Sequence, residues 1–175
     1  AIYLTLYMTV ISFIIGGFLG LVTGLLLVLT RPGGVIENRI VFQILDKITS
    51  LFRAIPFIIL LAFINPLTYL LLKNTIGPTA ALVPLSLAVF PFFARQVQVV
   101  LSELDGGVIE AAQASGATFW DIVGVYLREG LPDLIRVTTV TIISLIGETA
   151  MAGAVGAGGL GTLAINYGKN MFNND

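Results

Sequence analysis

Long runs without a charged side chain limit this chain more than any other feature. Residues 1–30 carry none, 54–72 none, 74–94 none, and 137–168 only Glu148. A helix needs about 20 apolar residues to cross ~30 Å of hydrocarbon, and three of these runs approach or exceed that length. Charged residues make up 11% of the 175, where a soluble domain carries about a quarter. The expected fold class is all-α, a polytopic bundle of transmembrane helices.

Spans are expected at about 2–30, 52–73, 77–99 and 133–152. Pro32-Gly33-Gly34 closes the first, Gly77-Pro78 opens the third, and Pro132 sits where a helix start tolerates proline. Pro56, Pro66, Pro84 and Pro91 fall within apolar stretches and should kink or end helices there. The stretch carrying Arg31, Arg39, Lys47 and Arg53 is amphipathic, and reads either as an interfacial helix or as an extension of the second span. Residues 1–30 lack the basic start of a signal peptide and are too long for its apolar region, so a retained span is expected. The initial Ala1 suggests further residues upstream.

Lys and Arg gather in cytoplasmic loops. Seven of the nine lie in 31–53 and 95–136, while Lys73 and Lys169 fall on the other side. Both long loops are therefore expected in the cytoplasm, with the N-terminus and the polar tail Asn170 to Asp175 outside. With neither Cys nor His, disulfides, thiolate nucleophiles, imidazole bases and the usual zinc sites are excluded. A net charge of −1 gives no sign of a nucleic-acid partner.

Between the oily segments lies a small polar island, Glu110-Ala111-Ala112-Gln113-Ala114-Ser115-Gly116. It reads as part of a two-helix loop at about 103–130. Gly106-Gly107 frees the chain to turn, Val108 to Ser115 holds good helix formers, and Gly116 suits a left-handed helix end. Thr118 with Asp121 three residues on resembles a capping box that opens Phe119 to Leu127. The slim alanine helix suits a partner's groove, with Val108, Ile109 and Trp120 as apolar anchors. A helix lying on anionic lipid would carry bases, but Glu103 to Asp121 carries four acids and no base, which favours docking to a protein.

Glu-Ala-Ala, three residues, then Gly, in such a loop, resembles the coupling motif of permease subunits in bacterial ABC importers. Ile55 to Leu61, Pro91 to Arg95, Ile109 to Thr118 and Gly153 to Gly161 are together similar to the methionine-uptake permeases of that family. The likeness covers nearly the whole chain in order. It implies a homodimer in the bacterial inner membrane, two cytoplasmic ATPase subunits and an extracytoplasmic substrate-binding protein. Coupling would fall to Glu110, Ala111, Ala112 and Gly116. The family also has a fifth span, expected here beyond residue 175, and a Leu-Pro directly after the second short helix. Here Leu127 is followed by Arg128, and Leu131-Pro132 comes later. No G-x-x-x-x-G-K-[ST] occurs, so no nucleotide cofactor is expected on this chain, and ATP and Mg belong to the partner ATPase.

Thr138, Thr141, Ser144, Glu148 and Met151 recur at helical spacing on the fourth span and should share one face. Six Val, Leu or Ile residues between 137 and 147 supply roughly −2 to −3.5 kcal/mol toward insertion. An ionised Glu148 near the centre costs about 2.5 to 3.5 kcal/mol. The terms nearly cancel, so this face should avoid lipid, and Thr141, Ser144, Glu148 and Met151 become candidates for a translocation path. Two readings of Glu148 stand open: a structural acid, or a lining group favouring a substrate with an amino group or other positive charge. The family carries an aromatic near this position. Met151 is a gate candidate by resemblance, or ordinary packing.

Gly156 to Gly161 spells G-x-G-x-x-G, but no preceding strand, following helix or later acid is expected to make a dinucleotide site. The glycines read instead as a non-helical or re-entrant stretch buried in protein. Gly16, Gly20 and Gly24 form a small-residue packing face on the first span. One rival is an ion-coupled secondary transporter with Glu148 as its proton site, though the inverted repeats common in such folds are not seen. An intramembrane hydrolase is the other, and Glu148 is the sole acid within a span.

Overall fold

The computed structural model describes residues 1–170, and within them every regular element is helical. Helices α1 (Ile2–Ser12) and α2 (Phe18–Thr30) form one rod of 29 residues, joined by a π turn at Phe13–Gly17. Chain then passes through α3 (Arg39–Ala54), α4 (Phe57–Phe63) and α5 (Asn65–Leu72) to α6 (Pro78–Ser102). The short helices α7 (Gly106–Ala114) and α8 (Phe119–Glu129) lead into α9 (Leu131–Ala152) and α10 (Gly159–Asn170). Among the described residues, three helices are long and apolar enough to cross a membrane: Ile2–Thr30, Pro78–Ser102 and Leu131–Ala157.

The expected second span, 52–73, is not one helix. Residues 52–54 finish α3, Ile55 and Pro56 are extended, and α4 and α5 meet at Ile64. Proline contributes to both breaks because it lacks the N–H that a helix interior needs, and Pro56 in addition holds Ile55 in extended backbone, whereas Ile64 stays in the helical region. Pro56 precedes α4, and Pro66 sits in the first turn of α5. Pro84 and Pro91, however, neither end nor interrupt α6. Each removes a single bond from a 25-residue helix, a local loss that packing along α2 and α9 outweighs. The fourth span begins at Leu131, slightly before the expected 133.

The glycine stripe packs as its spacing suggests. A Cβ on Gly20 would lie 2.8 Å from the Phe90 carbonyl oxygen, and one on Gly24 would lie 2.7 Å from that of Ala94. Only a bare Cα lets α2 and α6 approach so closely. At the end of α2, two carbonyls left without helical partners are taken up by the following turn. Ile36 N–H donates to Leu29 O at 3.0 Å, and Asn38 N–H to Thr30 O at 3.1 Å. Asn38 then caps α3 by accepting from the Ile40 and Val41 amides.

Among the described residues, two clusters form the core. One gathers Met8, Leu85, Val89 and Leu145 where α1, α6 and α9 meet. The other joins Val28 and Leu29 of α2, Val97 and Leu101 of α6, Ile122 and Tyr126 of α8, and Leu134 and Val137 of α9. Each fully buried aliphatic side chain stabilises by about 1.5–3 kcal/mol. The second cluster therefore fastens the short helices to the ends of the long ones.

After α9 the chain reverses sharply. Val155 and Gly156 leave helical geometry, with Gly156 at φ 100° and Gly158 at φ 85°. Thr162 Oγ1 donates to Gly153 O at 2.6 Å, and Leu160 N–H donates to Thr5 Oγ1 at 2.9 Å. The expected non-helical stretch is thus present but short, with Gly153, Ala157 and Gly161 buried while Val155 and Gly156 are exposed. Contrary to expectation a helix, α10, does follow these glycines; what precedes them is α9, not a strand, so no dinucleotide fold arises. Of the expected polar tail, residues 171–175 lie outside the described residues.

Candidate functional site

The 103–130 loop is a two-helix elbow with a cap on each side of its bend. Asp105 opens α7, its Oδ1 accepting from the Gly107 amide at 2.9 Å. Gly106 and Gly107 therefore lie inside the first turn of α7 and are not a hinge before it; the Asp105 cap draws the helix start forward. Ser115 ends α7, and Gly116 takes φ 82°, a left-handed value that penalises any other L-residue. Ala117 N–H bonds to Ala112 O and Gly116 N–H to Gln113 O, both at 3.1 Å. That pair of bonds is a Schellman motif, which satisfies the last carbonyls of α7.

Thr118 opens α8 immediately afterwards. Its amide donates to Asp121 Oδ2 at 2.8 Å, and Asp121 N–H donates back to Thr118 Oγ1 at 3.3 Å. These bonds complete the capping box and hold the Asp121 carboxyl below its ordinary value. Only Gly116 and Ala117 separate the end of α7 at Ser115 from the cap of α8 at Thr118. The bend has almost no unconstrained backbone.

The elbow is also clamped from within. Ile109, Ile122 and Tyr126 are buried against α2, α6 and α9. Ile109 is therefore not an outward anchor; its position on α7 turns it toward the core. Trp120 is 77% exposed, with Phe119 edge-on at 5.2 Å, and Val108 is partly exposed. Glu110, Ala111 and Gly116 face outward, and Ala112 is half-buried against the elbow's own core. Glu110 shares a recess with Arg31, Gly33 and Gly34, so the turn after α2 and the elbow lie on the same side of the molecule. Helix α8 runs on to Glu129, two residues past the expected Leu127. Leu131-Pro132 opens α9 one residue further on, after Gly130.

On α9 the expected polar face divides. Thr141 is fully buried, and its hydroxyl donates to Val137 O at 2.7 Å, so it offers nothing to an open route. Ser144 and Glu148 lie half-buried at the margin of the packed side, and Met151 is half-exposed. Glu148 Oε2 is shielded from solvent without a hydrogen-bond partner among the described residues. Thr138 borders an apolar groove with Phe13, Phe18 and Phe93. No group of three metal-ligating side chains occurs among the described residues.

Sequence reasoning missed one polar cluster. Arg95 on α6 donates to Asp46 Oδ1 at 2.7 Å, to Ser50 Oγ at 2.8 Å, and to Gln98 Oε1. The only sequence signal was a charge ending the apolar run at Phe93-Ala94. Asp46 and Ser50 lie four apart, one turn along a single face of α3, but nothing local names their partner.

Comparison with known proteins agrees with this geometry. Residues 16–174 match the family described as binding-protein-dependent transport system inner membrane component. The chain is 49% identical to the probable D-methionine transport system permease protein MetI of Pasteurella multocida, over 95% of this chain and 77% of that one. It is 45% identical to D-methionine transport system permease protein MetI of Escherichia coli K12, over 85% of this chain and 69% of that one. An inward-facing structure of the MetNI methionine ABC transporter superposes with TM-score 0.94 at 45% identity, covering 98% of this chain and 80% of that one. An amino acid ABC transporter with histidines shares the fold at TM-score 0.75 and 18% identity, over 97% of this chain and 77% of that one. The chain belongs to the binding-protein-dependent transport system inner membrane components, as a multi-pass permease subunit of a bacterial ABC importer and not an enzyme.

Proposed function

We propose that two copies of this chain form the path for methionine or a closely related amino acid, driven by two ATPase subunits docked on the α7–α8 elbow. A binding protein outside the membrane delivers the substrate, and ATP with Mg is held by the ATPase chains. The reading rests on the doubly capped elbow and its clamp onto α2, α6 and α9. A joint with so little slack passes rigid-body motion of a docked partner directly into the spans. ATP binding and hydrolysis then bias two arrangements of the bundle, one open to each side. Glu110, Ala111, Ala112 and Gly116 are the contact surface on the elbow, and Ser144, Glu148 and Met151 line the route on α9. Methionine comes from the relatives' names, and Glu148 in the route adds a preference for the substrate's ammonium group. Family membership argues against the ion-coupled alternative.

The test is coupling in reconstituted vesicles. Glu110→Ala removes the exposed carboxylate, and Gly116→Pro forbids the positive φ of the bend. Both variants are expected to insert normally yet lose substrate uptake per ATP hydrolysed. Unchanged uptake by both would refute the docking role. Uptake that stops when the proton gradient is collapsed, with ATP intact, would restore the ion-coupled reading.

A further inference from the structure

Helix α3 presents a third surface. Stepping around this helix at 3.6 residues per turn divides it into three faces. Val41, Leu45, Thr49 and Phe52 turn inward, toward α2 and α6. Ile40, Ile44, Ile48 and Leu51 form a separate apolar strip on the outside, with Ile40 72% and Leu51 63% exposed. Lys47 and Arg39 are also exposed, Lys47 adjoining that strip and Arg39 about a quarter turn beyond it, while Arg53 lies on the opposite side near Asp46. The sole acid on α3, Asp46, is already engaged by Arg95. The outward surface of α3 is therefore apolar on one side, while the other carries Lys47 and Arg39 among the neutral Gln43 and Ser50, with Glu37 beside Arg39.

Its depth fits a membrane boundary. Helix α3 is about 24 Å long and α4 about 10 Å, so neither alone spans the ~30 Å hydrocarbon core. The extended break at Ile55-Pro56 allows α3 to lean away from α4. Asp46 and Ser50, mid-helix, are held to Arg95, which lies two turns, about 10 Å, before the end of α6 at Ser102. An amphipathic helix at an interface buries its apolar side about 5–10 Å deep. On the same side of the protein, the elbow is acidic and carries no base from Glu103 to Asp121. Charge is thus divided between a surface that repels anionic headgroups and one that attracts them.

We propose that α3 is a contact for acidic phospholipid: the Ile40–Leu51 strip enters the acyl layer of the cytoplasmic leaflet while Lys47 and Arg39 gather anionic headgroups. This depends on which side α3 faces and not on which substrate is carried. Each cation near such a surface is worth about 1 kcal/mol, or about fivefold in local enrichment. Residues 1–175 hold no cysteine, so Ile44→Cys adds a single site for a fluorophore within them. The labelled full chain, in its assembled complex, is reconstituted into mixed phosphatidylcholine and phosphatidylglycerol vesicles. Bromine is placed on the chains of one lipid or the other at equal mole fraction. Brominated phosphatidylglycerol is expected to quench several-fold more strongly, and Lys47→Gln or Arg39→Gln to lower that preference by about two- to fivefold. Both positions are exposed, so neither substitution threatens folding. Equal quenching by the two lipids would overturn the proposal. Absence of quenching by either would also overturn it, showing that protein, such as a second copy of the chain, covers the strip.

Discussion

Adding one methyl group at Gly24 tests how α2 and α6 are held together. In Gly24→Ala the new Cβ would lie 2.7 Å from both the Ala94 carbonyl oxygen and the Val97 Cβ, where ordinary contact begins near 3.4 Å. Two of its three nearest neighbours are fixed at backbone or branch-point atoms, so no flexible chain end can swing aside. The helices must part locally by about 0.7 Å, the difference between those two distances. A gap of 0.5–1 Å forfeits a quarter to a half of the dispersion energy of each contact it opens. Overpacking of this kind costs about 1–3 kcal/mol. At roughly 2–4 °C per kcal/mol for a chain of this size, melting in detergent should fall by about 2–12 °C. The assay is retention of the monodisperse species on size exclusion after heating. Gly124→Ala on α8 is the control: its Cβ meets nothing within 4 Å, so removing helical glycine should stabilise by about 0.5–1 kcal/mol. If Gly24→Ala melts with the parent, the close approach of α2 and α6 is not what holds this pair.

The α8 cap should respond to acid. The folded-state value of the Asp121 carboxyl is depressed, chiefly by the Thr118 amide, so its contribution is present above the ordinary carboxylate value and lost as pH falls through the folded one. Amide exchange at Thr118 to Ile122, measured against pH, should show faster opening only in that acid range, and Asp121→Asn should remove the dependence. Thr118→Ala removes the other half of the box and should cost about 0.5–2 kcal/mol, read by the same exchange at neutral pH. Asp46→Ala deprives Arg95 of its charged partner; bonds to charged groups are worth about 1.5–3 kcal/mol, so α3 should detach from α6, seen as new protease sensitivity between 39 and 54.

The long helices were readable because their cause is local: an uncharged run of sufficient length has few alternatives in a bilayer. The elbow was readable for the same reason, since Gly116, Thr118 and Asp121 act on backbone within three residues of themselves. Proline was the least reliable guide. Its missing donor is fixed by sequence, but whether the helix survives depends on neighbours that lie far along the chain, as Pro56 and Pro84 show in opposite senses. Thr141 and Ile109 failed for a related reason: helical spacing groups residues on a face without saying which way that face turns. Glycines 153–161 concealed α10, because their backbone freedom reads as a loop until Thr5 and Gly153 hold the reversal in place.

That reversal has a mechanical consequence. Because Leu160 is bonded to Thr5, the first turns of the chain and the return after α9 are stitched together. One such bond is worth about 0.5–1.5 kcal/mol, so parting the tip of α1 from the start of α10 costs that much more than breaking apolar contact alone.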